Sequence, residues 1–242
     1  MGGGVLVTDS AVASTGGLPE GPEKRQAVEE MFDRVAPGYD RMNRIISLGR
    51  DTRWRKRTVE ALGLPRGSLV LDLACGTGDL CRDLADAGYR AVGIDFSAGM
   101  LARAHTDAPL VRGDAQALPL RDRAVDGVVC GFALRNFVEV RAVFDECARV
   151  LRPGGRFAAL DAAVPERVIM RAGNTVWFRG AVPLLGRFLA RDADAYRYLP
   201  RSTAYLPPPR ALLDLLHEAG FAGSARRTMT GGSVQLITGT RA

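Results

Sequence analysis

Residues 70–78, Val70-Leu71-Asp72-Leu73-Ala74-Cys75-Gly76-Thr77-Gly78, run as a short apolar strand into a glycine turn, and Gly93-Ile94-Asp95 and Gly113-Asp114-Ala115 follow downstream. A buried strand that meets a tight glycine turn, with acidic residues closing it and the strands after it, is the pattern of a nucleoside-binding sheet edge. Gly76 and Gly78 leave open the space where a Cβ would collide with a ligand lying on the backbone. Asp95, with Phe96 beside it, closes the second strand, where a carboxylate accepts the two hydroxyls of a ribose. Asp114 closes the third and is within reach of an adenine amino group, and the small Ala115 leaves room for the ring. The expected ligand is an adenosine.

The turn also discriminates among adenosine cofactors. A dinucleotide fold uses Gly-x-Gly-x-x-Gly, whose third glycine lets the helix pack on the strand, and here Cys81 stands in that place. No Gly-Lys-Ser/Thr follows, which excludes a P-loop. The string Asp72-Leu73-Ala74-Cys75-Gly76-Thr77-Gly78 instead resembles motif I of the class I S-adenosylmethionine methyltransferases. That resemblance implies that Asp72 faces the methionine end of the cofactor.

Outward from the turn, the pattern alternates. Strands are expected at 68–73, 90–95, 109–112, 126–131 and 156–162, with helices at 78–87, 98–105 and 139–151 between them. Such alternation builds a parallel sheet with crossover helices. Leu151-Arg152-Pro153-Gly154-Gly155 reads as a helix stop and turn, because proline cannot continue a helix and the glycines permit the reversal. A last helix at 207–219 and a hairpin of 224–229 with 233–240 around Gly231-Gly232 complete the domain. Ahead of the sheet, residues 1–22 are rich in Gly, Ser, Thr and Pro and read as a disordered tail. Residues 23–64 read as a helical cap, with Val28, Met31, Phe32 and Val35 as an apolar stripe before the Ala36-Pro37-Gly38 break. Residues 165–205 interrupt the alternation with an apolar helical insertion, which reads either as core helices or, given its place where it would cover the carboxyl ends of the strands, foremost as a lid over an apolar substrate. The fold class is thus α/β and Rossmann-like, a mostly parallel seven-stranded sheet with an antiparallel carboxyl-terminal strand, in one domain over 23–242.

At 242 residues and 47% apolar content the chain is long enough to bury a full core unaided. Cys75, Cys81, Cys130 and Cys147 lack CxxC spacing, which argues against a disulfide framework or a zinc site and for a reducing, cytoplasmic compartment. No export signal or membrane-spanning apolar run is visible. The net charge of +6 matches the excess within residues 41–57, where Arg41, Arg44, Arg50, Arg53, Arg55, Lys56 and Arg57 oppose Asp51 alone. Met42, Ile45, Ile46, Leu48 and Trp54 are interleaved with these charges. A solvated helix face is the plain reading, and basic residues beside apolar anchors also suit an anionic bilayer surface. No nucleic-acid-binding module accompanies the patch.

Four further segments sharpen the comparison. Tyr39-Asp40-Arg41-Met42-Asn43-Arg44-Ile45-Ile46-Ser47 with Trp54, Phe132-Ala133-Leu134-Arg135-Asn136, Arg149-Val150-Leu151-Arg152-Pro153-Gly154-Gly155, and Ala195-Tyr196-Arg197-Tyr198-Leu199 with Thr230-Gly231-Gly232 are similar to signatures of the ubiquinone/menaquinone biosynthesis C-methyltransferases. The resemblance spans residues 28–240. The chain departs from the family pattern at Asp51 for His, Arg152 for Lys, Asp161 for Glu, Ala163 for Ser, and Gly131, where a cofactor-contacting Ser is common. At Asp51 it resembles demethylmenaquinone enzymes of actinobacterial type.

The resemblance implies methyl transfer from S-adenosylmethionine to a ring carbon of a prenylated quinol, foremost demethylmenaquinol. Its cofactor residues would be Asp72, Ala74, Gly76, Thr77, Gly78, Asp95, Phe96, Asp114, Ala115 and Gly131. Arg135 and Asn136, at the mouth of the fourth strand, are the catalytic candidates: a guanidinium stabilises a developing phenolate and an amide orients a hydroxyl or water. Tyr39, Asp40 and Tyr196 are candidates for quinol contacts, and no metal is called for. His105, on the helix after the second strand, and His217 are read as structural or exposed. Implied partners are the lipid-soluble quinol, the anionic inner face of the cell membrane and, as an open option, a second copy of the chain. A methyltransferase of another apolar phenol or secondary metabolite stays open, as does a non-catalytic adenosine-binding scaffold.

Overall fold

The structure, a computed structural model, describes residues 21–166, 170–172 and 202–242. Helix α1 (Gly21–Val35), a 3-10 turn (Ala36–Gly38), α2 (Tyr39–Ile46) and α3 (Asp51–Glu60) form the amino-terminal cap. Helix α1 begins within the stretch read as tail, and Pro22 occupies its first turn, where a missing N–H costs no hydrogen bond. The remainder of that tail, residues 1–20, and most of the insertion at 165–205 lie outside the described residues.

The sheet is built from β1 (Leu69–Leu73), β2 (Arg90–Asp95), β3 (Leu110–Arg112), β4 (Val125–Gly131), β5 (Leu151–Ala162), β6 (Phe221–Met229) and β7 (Val234–Arg241), ordered β3-β2-β1-β4-β5-β7-β6. The first five run parallel, and β7 lies antiparallel between β5 and β6. Helices α4 (Asp79–Asp86), α5 (Ala98–Leu101), α6 (Val140–Val150) and α7 (Pro209–Glu218) connect the strands. The winding reverses between β1 and β4, and ligands of open α/β sheets bind at the carboxyl ends of the strands at such a point.

Two details differ from the sequence reading. Helix α5 stops at Leu101, because the His105 N–H is captured by the Thr77 carbonyl at 2.9 Å and ties the chain back to the glycine turn. His105 is therefore in a loop. Strand β5 starts at Leu151, five residues early: the Pro-Gly-Gly turn lies inside the strand as an irregularity, with the register slipping between Val125 and Gly127.

Alternation along the strands separates two cores. Leu71, Leu73, Val128, Phe157 and Ile237 face α6 and α7 in one cluster with Phe144, Leu216 and Phe221. Val70, Val129, Ala158 and Leu236 face α3 and α4 with Val59, Leu62, Leu80 and Leu84 in the other. Among the described residues, no helix is long and apolar enough to cross a membrane.

Candidate active site

Strands β1 and β4 are neighbours, and the residue just beyond each, Ala74 (φ 57°) and Phe132 (φ 59°), takes up the left-handed backbone conformation. Outside glycine this costs about 1–3 kcal/mol and persists where surrounding structure enforces it, commonly at functional sites. Both residues turn the chain away from the sheet at the switch point. Gly76 (φ 55°) continues the turn over β1, where an added Cβ would press on Met100 at 3.0 Å. Gly78 has a different role from the one expected. It is the N-cap of α4 at φ 83°, and its Cβ would lie 2.6 Å from the Thr106 side chain, so it is needed for helix entry and loop packing and lines neither cleft.

The first of two joined clefts lies over the ends of β1, β2 and β3 and is open to solvent. Gly76, Asp95, Phe96, Asp114 and Ala115 line it as the motif reading requires, and helix α1 contributes Arg25, Val28 and Phe32. The Asp95 carboxylate is buried. Its two oxygens accept N–H bonds from Gly76 and Ser97, both 2.8 Å. Burial pushes its pKa up, opposed by those backbone donors. Asp114 accepts the Gln116 N–H at 3.0 Å and pairs with Arg25 at 2.9 Å. Asp33 fastens α1 to α5 by accepting from Ser97 Oγ at 2.5 Å and the Gly99 N–H at 2.9 Å. Neither Arg25 nor Asp33 is marked by any motif, because their roles depend on how the cap lies across the sheet.

The second cleft opens over the other side of the glycine turn, lined by Asp72, Ala74, Gly76 and Thr77 together with Tyr39, Asn43, Phe132 and Arg135. Cys81, in place of the dinucleotide glycine, donates its thiol to Asp72 Oδ2 at 3.3 Å, while Asp72 Oδ1 is buried with no hydrogen-bond partner. Burial pushes the Asp72 carboxyl up to about 7. An unsatisfied buried acceptor at this edge fits the ammonium of a bound amino acid moiety. Thr77 donates to Asp40 at 2.5 Å, so Asp40 joins α2 to the turn and does not line the cleft, contrary to its expected role as a quinol contact. Tyr39 borders both clefts, and burial raises its phenol pKa against a hydrogen bond from Asn43.

Arg135 and Asn136 part company. The Arg135 guanidinium lies in the second cleft, ion-paired to Asp161 through Nη1 and donating to Ser202 Oγ through Nε at 3.1 Å. Asn136 lines the first cleft and donates to the Phe132 carbonyl at 3.3 Å, so it does not share the second cleft with Arg135. Asp161 is fully buried. It also accepts the Arg135 backbone N–H at 3.1 Å, and its work is to hold Arg135. Ala163 gives the cleft an apolar wall where the family pattern has a hydroxyl, and Gly131 borders both clefts with its missing Cβ directed at Leu80. Tyr196 lies outside the described residues. His105 and His217 are exposed, away from both clefts.

The basic segment 41–57 divides. Arg55 is buried and bonded to Asp51 (2.7 Å), Asp79 (2.9 Å) and Asp83 (2.7 Å), so it joins α3 to α4 and is not part of a surface patch. Met42 and Trp54 are buried too, Trp54 with its indole N–H on Thr230 Oγ1 at 2.9 Å, which removes them as anchors. Arg41, Arg44, Arg50, Arg53, Lys56 and Arg57 remain exposed, with Leu48 at 59% exposure among them.

A 3-2-1-4-5-7-6 sheet with a carboxylate-lined nucleoside cleft at its switch point is that of a class I S-adenosylmethionine-dependent methyltransferase. Solved structures share this fold: a methyltransferase from Thermotoga maritima (TM-score 0.64, 18% identity, 89% of this chain and 100% of that one) and phosphoethanolamine N-methyltransferase 2 from Haemonchus contortus, in complex with S-adenosylmethionine (0.66, 14%, 88% and 60%). The family model of the ubiE/COQ5 methyltransferase family matches residues 21–241, and the chain belongs to that family. Demethylmenaquinone methyltransferase of Roseiflexus castenholzii is 40% identical over 235 residues, 94% of this chain and 99% of the relative. Its namesake from Mycolicibacterium paratuberculosis is 42% identical over 210 residues, 86% and 91%.

Proposed function

We propose that this enzyme methylates a ring carbon of a reduced, prenylated naphthoquinol of the demethylmenaquinol type, using S-adenosylmethionine held by Asp72, Gly76, Asp95 and Asp114. The observation that carries this reading is the near full-length similarity to demethylmenaquinone methyltransferases; residues of the segments 39–47 and 132–136 border the clefts. The bound cofactor supplies an electrophilic methyl on a sulfonium. An acceptor ionised by loss of one hydroxyl proton to solvent would carry negative charge onto the neighbouring ring carbon and would be the nucleophile for that methyl, with the proton of that carbon passing to solvent as the aromatic ring is restored. Most of the acceleration comes from positioning in a cleft walled by Tyr39, Phe132 and Trp54. Arg135, held by Asp161, presents its remaining N–H groups to the phenolate.

Incubation with labelled S-adenosylmethionine and a panel of reduced naphthoquinols, benzoquinols and soluble phenols tests the assignment. Label on a naphthoquinol ring carbon is expected, and transfer confined to soluble phenols would replace the acceptor class. Arg135→Lys is expected to lower kcat at least tenfold while leaving S-adenosylmethionine affinity within about twofold, because its partner is the acceptor. Equal losses in both would make Arg135 a structural residue.

The site of action is the cytoplasmic membrane surface. Arg50, Arg53, Arg57 and Leu48 rim the second cleft and suit contact with anionic headgroups around a lipid-embedded substrate.

A further inference from the structure

The two clefts meet at a neck. Six residues border both: Phe32, Tyr39, Ala74, Gly76, Gly131 and Phe132. Three carry aromatic rings from the cap and the β4 end, and the other three are the smallest side chains available. No carboxylate is among them: Asp95 lies in the first cleft alone and Asp72 in the second alone. Ala74, Gly76 and Phe132 are all at positive φ, so the chain bends beyond each strand end where the two clefts share residues. The rings are held in place. Phe32 and Tyr39 pack edge to face at 6.0 Å, Trp54 packs on Phe132 at 6.1 Å, and Arg135 lies 5.9 Å from the Phe132 ring centre with its charge balanced by Asp161.

Given the proposed function, on which this inference rests, the adenosine occupies one cleft and the acceptor the other, so the sulfonium sits at the neck. We propose that Phe32, Tyr39 and Phe132 form an aromatic sulfonium subsite, in which the rings attract the positive sulfur at a point where no carboxylate residue borders both clefts, the nearby Asp95 being engaged by backbone N–H groups. A carboxylate there would hold the charge more tightly and would also repel the incoming phenolate. Aromatic rings attract the cation without that repulsion. Transfer of the methyl to the ring carbon leaves an uncharged thioether, to which the rings have no electrostatic attraction. The neck thereby favours the reactive cofactor over its spent form.

S-adenosylmethionine and S-adenosylhomocysteine share every adenosine and amino acid contact and differ at the sulfur, so their affinity ratio isolates the subsite. Calorimetry with both ligands on wild type, Phe132→Leu, Phe32→Leu and Phe132→Tyr provides the test. Each leucine variant is expected to reduce the preference for S-adenosylmethionine by about five- to thirtyfold while S-adenosylhomocysteine affinity moves less than threefold. Phe132→Tyr keeps the ring and the preference, which separates this effect from misfolding. Leucine variants that weaken both ligands equally, or neither, would overturn the subsite and leave the methyltransferase reading standing. Wild type that binds neither ligand would overturn both.

Discussion

Asp72 and Asp95 close adjacent strands and are equally hidden from solvent, yet their hydrogen bonds separate them. Asp95 has an N–H on each oxygen, whereas Asp72 has one thiol donor and a bare oxygen. The pKa of Asp72, about 7 against an ordinary 3.8, lies above its unfolded value, so the folded, ligand-free protein holds a proton that the unfolded chain has released. The stability this group contributes is complete below about pH 4 and is lost as pH rises through about 7. Thermal melts of the ligand-free protein should therefore fall more steeply from pH 5 to 8 for wild type than for Asp72→Asn. Binding runs the other way: S-adenosylmethionine affinity should rise through pH 7 in wild type, as the carboxylate ionises opposite the ammonium, and stay flat in the variant. For Asp95→Asn, the new NH2 faces a backbone N–H and charge-assisted bonds to the ribose are lost. A ten- to hundredfold weaker cofactor affinity by calorimetry is expected, since each such bond contributes roughly 1.5–3 kcal/mol. Asp72 and Asp95 were legible as candidates because each lies at the carboxyl end of a strand beside the glycine turn or its neighbour. Arg25, Asp33 and Phe32 were not, because a helix stripe does not say which strand end it will cover.

At the scale of elements, the cap is fastened to the sheet by polar contacts. Arg55 on α3 reaches Asp51 on its own helix and Asp79 and Asp83 on α4, and Asp33 and Arg25 bring α1 onto the cofactor edge. Removing the cation from a buried cluster leaves carboxylates without compensation, so Arg55→Met should cost about 3–5 kcal/mol in urea unfolding. Adding Asp51→Asn and Asp83→Asn should restore part of that loss; no recovery would mean that the Arg55 stem, not its charge, carries the stability. The helix–strand alternation was readable from periodicity. The early end of α5 and the early start of β5 were not, since each is set by a backbone hydrogen bond or ladder to a distant segment.

For the whole molecule, the proposed membrane contact rests on the distribution of charge. The exposed arginines of α3 and of the loop before it border the second cleft, the one proposed to take the acceptor. Each basic residue near an anionic surface contributes on the order of 1 kcal/mol, screened by salt. Wild type is expected to sediment with anionic liposomes at low salt, and Arg50→Gln, Arg53→Gln and Arg57→Gln combined should reduce the bound fraction severalfold. Failure of wild type to sediment would make these arginines an ordinary solvated face. The sequence alone determined the sheet, the glycine turn, the acidic residues at the strand ends and the family, because those features are written in local periodicity and short spacings. Only the tertiary structure decided that Arg55, Met42 and Trp54 turn inward, that Asp161 serves Arg135, that Asp40 holds Thr77, and that three rings meet at one neck. Each of those depends on which of two faces a helix buries and on contacts between residues far apart in the chain, which a linear pattern does not encode.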